Sequence, residues 1–129
     1  MLGYQNATAA ALKAQTYSVS DFDSSGFLPP EYNDTLILSH ELAEWADDPF
    51  TVNATPAWGN TGQVVGCQGN LEVGDPLTPT GFPPVMMNGF TYHLQELAFM
   101  TWFFGGPGMS AGGLFSNNGT FTTPSTLCQ

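Results

Sequence analysis

Positive charge is almost missing from this chain of 129 residues. Lys13 is the single basic side chain, there is no arginine, and eleven carboxylates give a formal charge of −10. That balance argues against nucleic acid and anionic membrane surfaces as partners, since both are held by cationic side chains. It also removes the usual means of neutralising carboxylates inside a protein. A buried acidic cluster here must use backbone donors, shared protons or a metal cation. Long apolar runs are missing too, so no segment reaches the ~20 residues of a membrane span. Cysteine is scarce. Cys67 and Cys128 predict one long-range disulfide that pins the C-terminal end to the middle, with two free buried thiols as the alternative. There is no repeat and no internal linker. A 42% hydrophobic content fits one folded domain, 1–129.

Local pattern gives a coarse order of elements. Residues 5–14 are alanine-rich and read as a helix. Residues 15–22 alternate through Tyr17, Val19 and Phe22, a strand signal. Asp21, Asp23 and Ser25 alternate as at the start of a calcium loop, but Gly26 and the missing downstream glutamate do not fit an EF-hand, so 23–26 reads as a turn. The polar stretch 53–60 with Trp58 reads as a loop, and 63–67 as a short strand. Residues 68–77 form a loop holding Glu72 and Asp75, and four prolines make 76–84 irregular. Asn88-Gly89 marks a two-residue turn in a hairpin over 85–93. The apolar run 94–104 suits strand or helix equally. The tail carries one weak strand around 120–122.

The most informative stretch is 36–50, Leu-Ile-Leu-Ser-His-Glu-Leu-Ala-Glu-Trp-Ala-Asp-Asp-Pro-Phe. It contains His40, Glu41, Glu44, Asp47 and Asp48, one of the two histidines and four of the eleven carboxylates. It predicts a helix of about three turns, opened or capped by Ser39 and stopped by Pro49. His40 and Glu44 are four apart, so they share a face, and Glu41 lies about 100° around from His40. The pattern is H-E-x-x-E. It differs by one residue type from H-E-x-x-H, in which two imidazoles hold zinc and the glutamate is a general base. A solvated acidic face is the plain alternative. The apolar Leu36-Ile-Leu argues against it, because buried unpaired charge is costly.

A zinc site needs about four ligands. His40 and Glu44 supply two, and Glu72 is the best candidate for a third. Asp75 would accept a hydrogen bond from the other nitrogen of His40 and fix its tautomer. Glu41 would activate the attacking water. Asp48 is a rival ligand or an orienting group. His93 is a ligand or polarises a substrate carbonyl, with a hydrogen-bonded strand residue as its plain reading.

His40-Glu-Leu-Ala-Glu44 with Asp48-Pro49, followed by Asn70-Leu-Glu72-Val-Gly-Asp75, resembles zincin metallopeptidases of the gluzincin kind. Those join H-E-x-x-H to a downstream glutamate ligand and a bracing aspartate. Over those two motifs the resemblance implies a peptidase with a peptide or protein substrate, and an edge strand, here 15–22, lining that substrate. Ser39-His-Glu-Leu-Ala-Glu44 with Asp48-Pro49 also resembles the plant phosphate-induced (exordium-like) proteins. Over about Tyr17 to Thr122 the chain is similar to secreted bacterial proteins, often acidobacterial, that carry a Ser-His-Glu-x-Ala-Glu-Trp helix. Glu44 stands where the zincins have a second histidine. Oxygen is the harder donor, so zinc is joined by calcium or another divalent cation as a candidate.

Other matches are weaker. Gly108-Met-Ser110-Ala-Gly112 fits G-x-S-x-G, but no histidine follows it, and it reads as a glycine-rich loop. A carboxylate pair such as Glu41 and Glu72 would suit a glycosidase but leaves the His40–Glu44 spacing unexplained. Trp45, Trp58, Trp102, Phe103 and Phe104 read as core before they read as sugar platforms. Four N-x-Ser/Thr sequons start at Asn6, Asn33, Asn53 and Asn118. The paired cysteines and scarce lysine predict a secreted, extracellular protein. The start Met1-Leu-Gly-Tyr lacks signal-peptide features, so the expectation is a mature form or a fragment of a longer secreted chain. The expected fold class is α+β, with the H-E-x-x-E helix packed on a small, mostly antiparallel sheet with long loops. The expected function is a metal-dependent, zincin-like hydrolase. The alternative is a non-catalytic structural or adhesive extracellular domain, with a structural cation and a capacity for self-association.

Overall fold

Thr16, Tyr17 and Val19 do lie on a strand, and its partner is the alanine-rich stretch before it. The computed structural model describes every residue except 1, 2, 11, 12, 79, 109, 111 and 129, and for 3–10, 13 and 14 the backbone alone. Strands β1 (Gly3–Ala10) and β2 (Lys13–Ser20) pair antiparallel along their whole length, from Gly3↔Ser20 to Ala10↔Lys13. The helix expected over 5–14 is therefore corrected to a hairpin. Alanine's helical advantage is only a few tenths of a kcal/mol per residue over most others. It yields to pairing with the strand that follows, which satisfies the backbone of both.

Helix α1 (Thr35–Asp47) carries the H-E-x-x-E pattern. Its cap is Asp34, whose carboxylate accepts from the Thr35 N–H, and not Ser39. Ser39 lies inside the helix, where its hydroxyl donates to the Leu36 carbonyl at 2.7 Å and accepts from the Gln95 N–H at 2.9 Å. The helix ends at Asp47, with Asp48 as its C-cap directly before Pro49. Its buried stripe is unusual. Leu36 and Ile37 lead it, but His40, Glu41 and Glu44 continue it, while Leu38, Leu42 and Trp45 are left partly exposed. The hairpin β1–β2 packs against this helix, and Trp45 Nε1 donates to Thr16 Oγ1 at 2.8 Å.

Residues 53–60 are not a loop. They form most of β3 (Ala54–Thr61), which pairs with β4 (Val64–Asn70). Pro56 and Gly59 hid this strand. Pro56 falls in a register shift between Ala54↔Asn70 and Trp58↔Gln68, where a missing N–H costs little. Gly59, at φ +156°, approaches so closely that a Cβ there would lie 1.8 Å from the Gly66 carbonyl oxygen. The expected hairpin at Asn88-Gly89 is present as β5 (Val85–Met87) and β6 (Phe90–Tyr92). The ambiguous run 94–104 divides. Gln95 and Ala98 make isolated bridges to Gly81 and Ser116, and α2 (Met100–Phe104) follows. No strand forms at 120–122: the Thr120 N–H donates to Glu96 Oε1, the Phe121 N–H to Ser116 Oγ, and the Phe121 carbonyl accepts from the Phe115 N–H.

The core joins Trp58, Leu71, Val73, Leu77, Ala98, Trp102, Phe103 and Phe115. Trp102 meets Trp58 and Phe103 edge-on, at centroid distances of 5.7 and 4.9 Å, and stacks on Phe121 at 4.8 Å. Trp58 Nε1 is satisfied by the Asn70 carbonyl at 2.8 Å. Trp58, Trp102 and Phe103 are thus core, whereas Trp45 and Phe104 are partly exposed. Cys67 and Cys128 form a disulfide across 61 residues, worth about 2–4 kcal/mol through restriction of the unfolded chain. The architecture is α+β, its sheet portion divided, among the described residues, into three two-stranded antiparallel hairpins. Among the described residues no helix is long and apolar enough to cross a membrane.

Candidate metal centre

Two segments meet at the site. The first is α1, which sets His40 and Glu44 one turn apart on its buried face. The second is 71–75, which leads into a single 3-10 turn, Asp75–Leu77. Leu71 and Val73 are anchored in the core, and this fixes the segment so that the Gly74 and Asp75 N–H groups and the Asp75 side chain meet the helix.

His40 Nε2 lies 3.2 Å from Glu44 Oε1 and 3.3 Å from Asp75 Oδ1. One donor atom from each of these three residues falls within 4.8 Å of the others. Ligands at ordinary zinc bond lengths in a tetrahedron stand about 3.4 Å apart. The two short separations match that edge, and one imidazole with two carboxylates is a chemically suitable donor set for a divalent cation. Glu44 Oε1 is held by the backbone N–H groups of Gly74 and Asp75, both at 3.2 Å. Asp75 receives the side-chain amides of Gln63 and Gln68. The His40 ring lies close over Gly74, where a Cβ would come within 2.5 Å of Nδ1.

The electrostatics follow from burial without cations. Burial by itself would push the His40 imidazolium down. Hydrogen bonds to Asp75 and Glu44, the Glu44 charge and Gln95 outweigh it and raise His40 to about 11. Glu72 is pushed up to about 8, first by burial, then by the charges of Glu44 and Asp75, a hydrogen bond with Glu44, and Asp48. Glu41 is raised to about 7 by burial, opposed by His40 and reinforced by Glu44 and Asp75. Its Oε2 is buried and has no hydrogen-bond partner. In the metal-free protein, protons held by these groups therefore stand in for missing positive charge.

The two segments that the sequence marks, 40–48 and 70–75, do meet in the structure, but their side chains are arranged differently around His40. Asp75 does not brace the other nitrogen of His40. It faces Nε2, the nitrogen that Glu44 also faces. The brace on Nδ1 is Gln95 Oε1 at 2.9 Å, a residue that no sequence motif marks. Glu72 hydrogen-bonds Glu44 beside the three converging donors. Asp48 is buried but organises the chain after the helix, accepting from the N–H groups of Val52 at 3.0 Å and Asn53 at 2.9 Å. His93 is held at the start of α1. Its Nδ1 meets Asp34 Oδ2 at 2.6 Å, and its backbone exchanges hydrogen bonds with the Thr35 hydroxyl. Thr35 is five residues before His40, about 7–8 Å along the helix, so His93 does not join the cluster. Asp23 accepts from Ser25 and Leu28 within its own turn, as a turn residue should. Ser110 Oγ accepts from the Gly112 and Leu114 N–H groups in a loop.

Next to His40, on the Gln95 side, is a cavity of about 30 Å³ lined by Leu28, Tyr32, Leu36, Ile37 and Thr78. Comparison of the chain with protein-family models, curated proteins and solved structures finds no match.

Proposed function

We propose that His40, Glu44 and Asp75 hold one divalent cation, zinc or else calcium or another divalent ion, and that the chain is a zincin-like, metal-dependent hydrolase of peptide bonds. The observation that carries this reading is the convergence of three donor atoms at metal-ligand spacing, in a chain whose one basic residue is Lys13. Glu72, hydrogen-bonded to Glu44, is the next carboxylate in reach. A bound cation would supply Lewis acidity and activate water. The chain's own work falls to Glu41. A carboxyl that exchanges its proton near pH 7, with a buried and unpartnered oxygen, suits a general base at neutral pH. The Cys67–Cys128 disulfide supports an oxidising, extracellular setting. The test is cleavage of a generic peptide library by the metal-loaded protein. Glu41→Gln should abolish cleavage while metal content stays the same. Equal cleavage by both proteins sinks the assignment.

One observation favours a second reading. His40, Glu44 and Glu41 are all nearly inaccessible, and the cavity beside His40 has room for about one water. A non-catalytic extracellular domain with a structural cation would look the same. Chelation that unfolds the protein, together with no peptide cleavage, selects this reading.

A further inference from the structure

The orientation of one amide decides which nitrogen of His40 keeps its proton in the neutral imidazole, the form that a cation binds. Gln95 Nε2 lies 2.6 Å from the Gly74 carbonyl oxygen and 3.5 Å from the Glu96 carbonyl oxygen. Carbonyl oxygens only accept, so the end of the amide facing them must be the NH₂ group. The other end, Oε1, then faces His40 Nδ1 at 2.9 Å and can only accept from it. A neutral imidazole with its proton on Nδ1 has its lone pair on Nε2. Nε2 is the atom flanked by Glu44 Oε1 and Asp75 Oδ1.

We infer that Gln95 is a positioning residue that holds His40 in the Nδ1–H tautomer and so dedicates Nε2 to a divalent cation. The inference rests on the metal-site reading above. Gln95 is itself firmly held. It is buried, its backbone N–H donates to Ser39 Oγ on α1 at 2.9 Å, and it bridges to Gly81. Gly74 completes the clamp from the other segment. Its carbonyl fixes the Gln95 amide, its N–H holds Glu44, and its missing Cβ admits the His40 ring. Glutamine also suits this place better than the carboxylate that commonly braces a metal-bound histidine. A glutamate at 95 would put a second acceptor against the Gly74 carbonyl. It would also add negative charge to a cluster that already holds Glu41, Glu44, Glu72 and Asp75.

The experiment uses the full chain labelled with ¹⁵N-histidine and titrated with zinc. In the zinc-loaded wild type, His40 Nδ1 should appear as the protonated nitrogen, with a slowly exchanging proton, and Nε2 as the metal-bound one. Gln95→Leu should weaken zinc binding by about 10- to 100-fold and speed exchange of the Nδ1 proton. Gln95→Glu should fail to restore binding. Zinc on Nδ1 overturns the inference while leaving the metal site standing, and so does Gln95→Leu with unchanged affinity and unchanged exchange. No zinc uptake by the wild type overturns both. The wild-type spectrum decides the tautomer even where the leucine variant does not fold.

Discussion

Two of the places where the chain buries carboxylates treat them differently. Glu96 is fully buried and well supplied with donors. Its Oε1 accepts from the Ser116 hydroxyl at 2.5 Å and from the N–H groups of Thr120 at 3.0 Å and Asn118 at 3.2 Å, and its Oε2 accepts from the Thr120 hydroxyl at 2.6 Å. The cluster around His40 gathers Glu41, Glu44, Glu72 and Asp75, yet Glu41 keeps a buried oxygen without a partner, and Glu41 and Glu72 are driven towards their protonated forms. A buried carboxylate is therefore no sign of a metal in this molecule, because the fold can satisfy one with neutral donors. Several that share an imidazole and too few donors are such a sign. Glu96 orders the loop at 116–121, and the cluster offers three donor atoms that could hold a cation.

Substitutions can break this contrast. The largest effect is expected from Glu41→Gln, which should lower hydrolysis by about 10²- to 10⁴-fold with metal binding kept; paired rate and metal-content measurements check it. Next is Glu96→Ala, which leaves several donors unsatisfied. It should cost about 3 kcal/mol or more in denaturant unfolding, while folded molecules bind metal with unchanged affinity. A matching loss of metal affinity would mean that the two regions are not independent.

A smaller effect of opposite sign sharpens the comparison. Glu72→Gln should stabilise the metal-free protein, because it replaces a carboxyl that resists ionising. Glu96→Gln should destabilise it, because a carboxylate surrounded by donors is replaced by an amide that is part donor. Unfolding midpoints near pH 8 test the signs. The pH dependence has the same origin. Folded-state values of about 7 for Glu41 and about 8 for Glu72 lie above the usual 4.5. Their contribution is complete below about pH 4.5 and is lost as pH rises through those folded values. His40, raised from 6.5 to about 11, acts in the same direction over a higher range. The metal-free protein should thus lose stability between about pH 5 and 8. Metal binding needs deprotonated ligands, so affinity should rise over that interval. Unfolding curves with and without chelator, taken across this range, should diverge.

What could be read from the sequence follows the range of the interaction. His40 and Glu44 were legible because helical spacing is local. The disulfide was legible because the chain has one pair of cysteines. Glu72 and Asp75 were legible as a group, but their separate roles depend on how the 3-10 turn at Asp75 aims its side chain. Gln95 lies 55 residues from His40, and Gln63 and Gln68 reach Asp75 through the β3–β4 hairpin. Nothing in their local pattern marks them. The elements misread, β1 and β3, are those in which a local preference gave way to pairing: alanine content in β1, and Pro56 with Gly59 in β3.

The most direct test is the metal content of the full chain after zinc, calcium or manganese loading and desalting, measured beside His40→Ala. The donor geometry predicts about one divalent ion per chain in the wild type and its loss in the variant. A wild type that retains none of the three ions, or a variant that retains as much, would contradict the site.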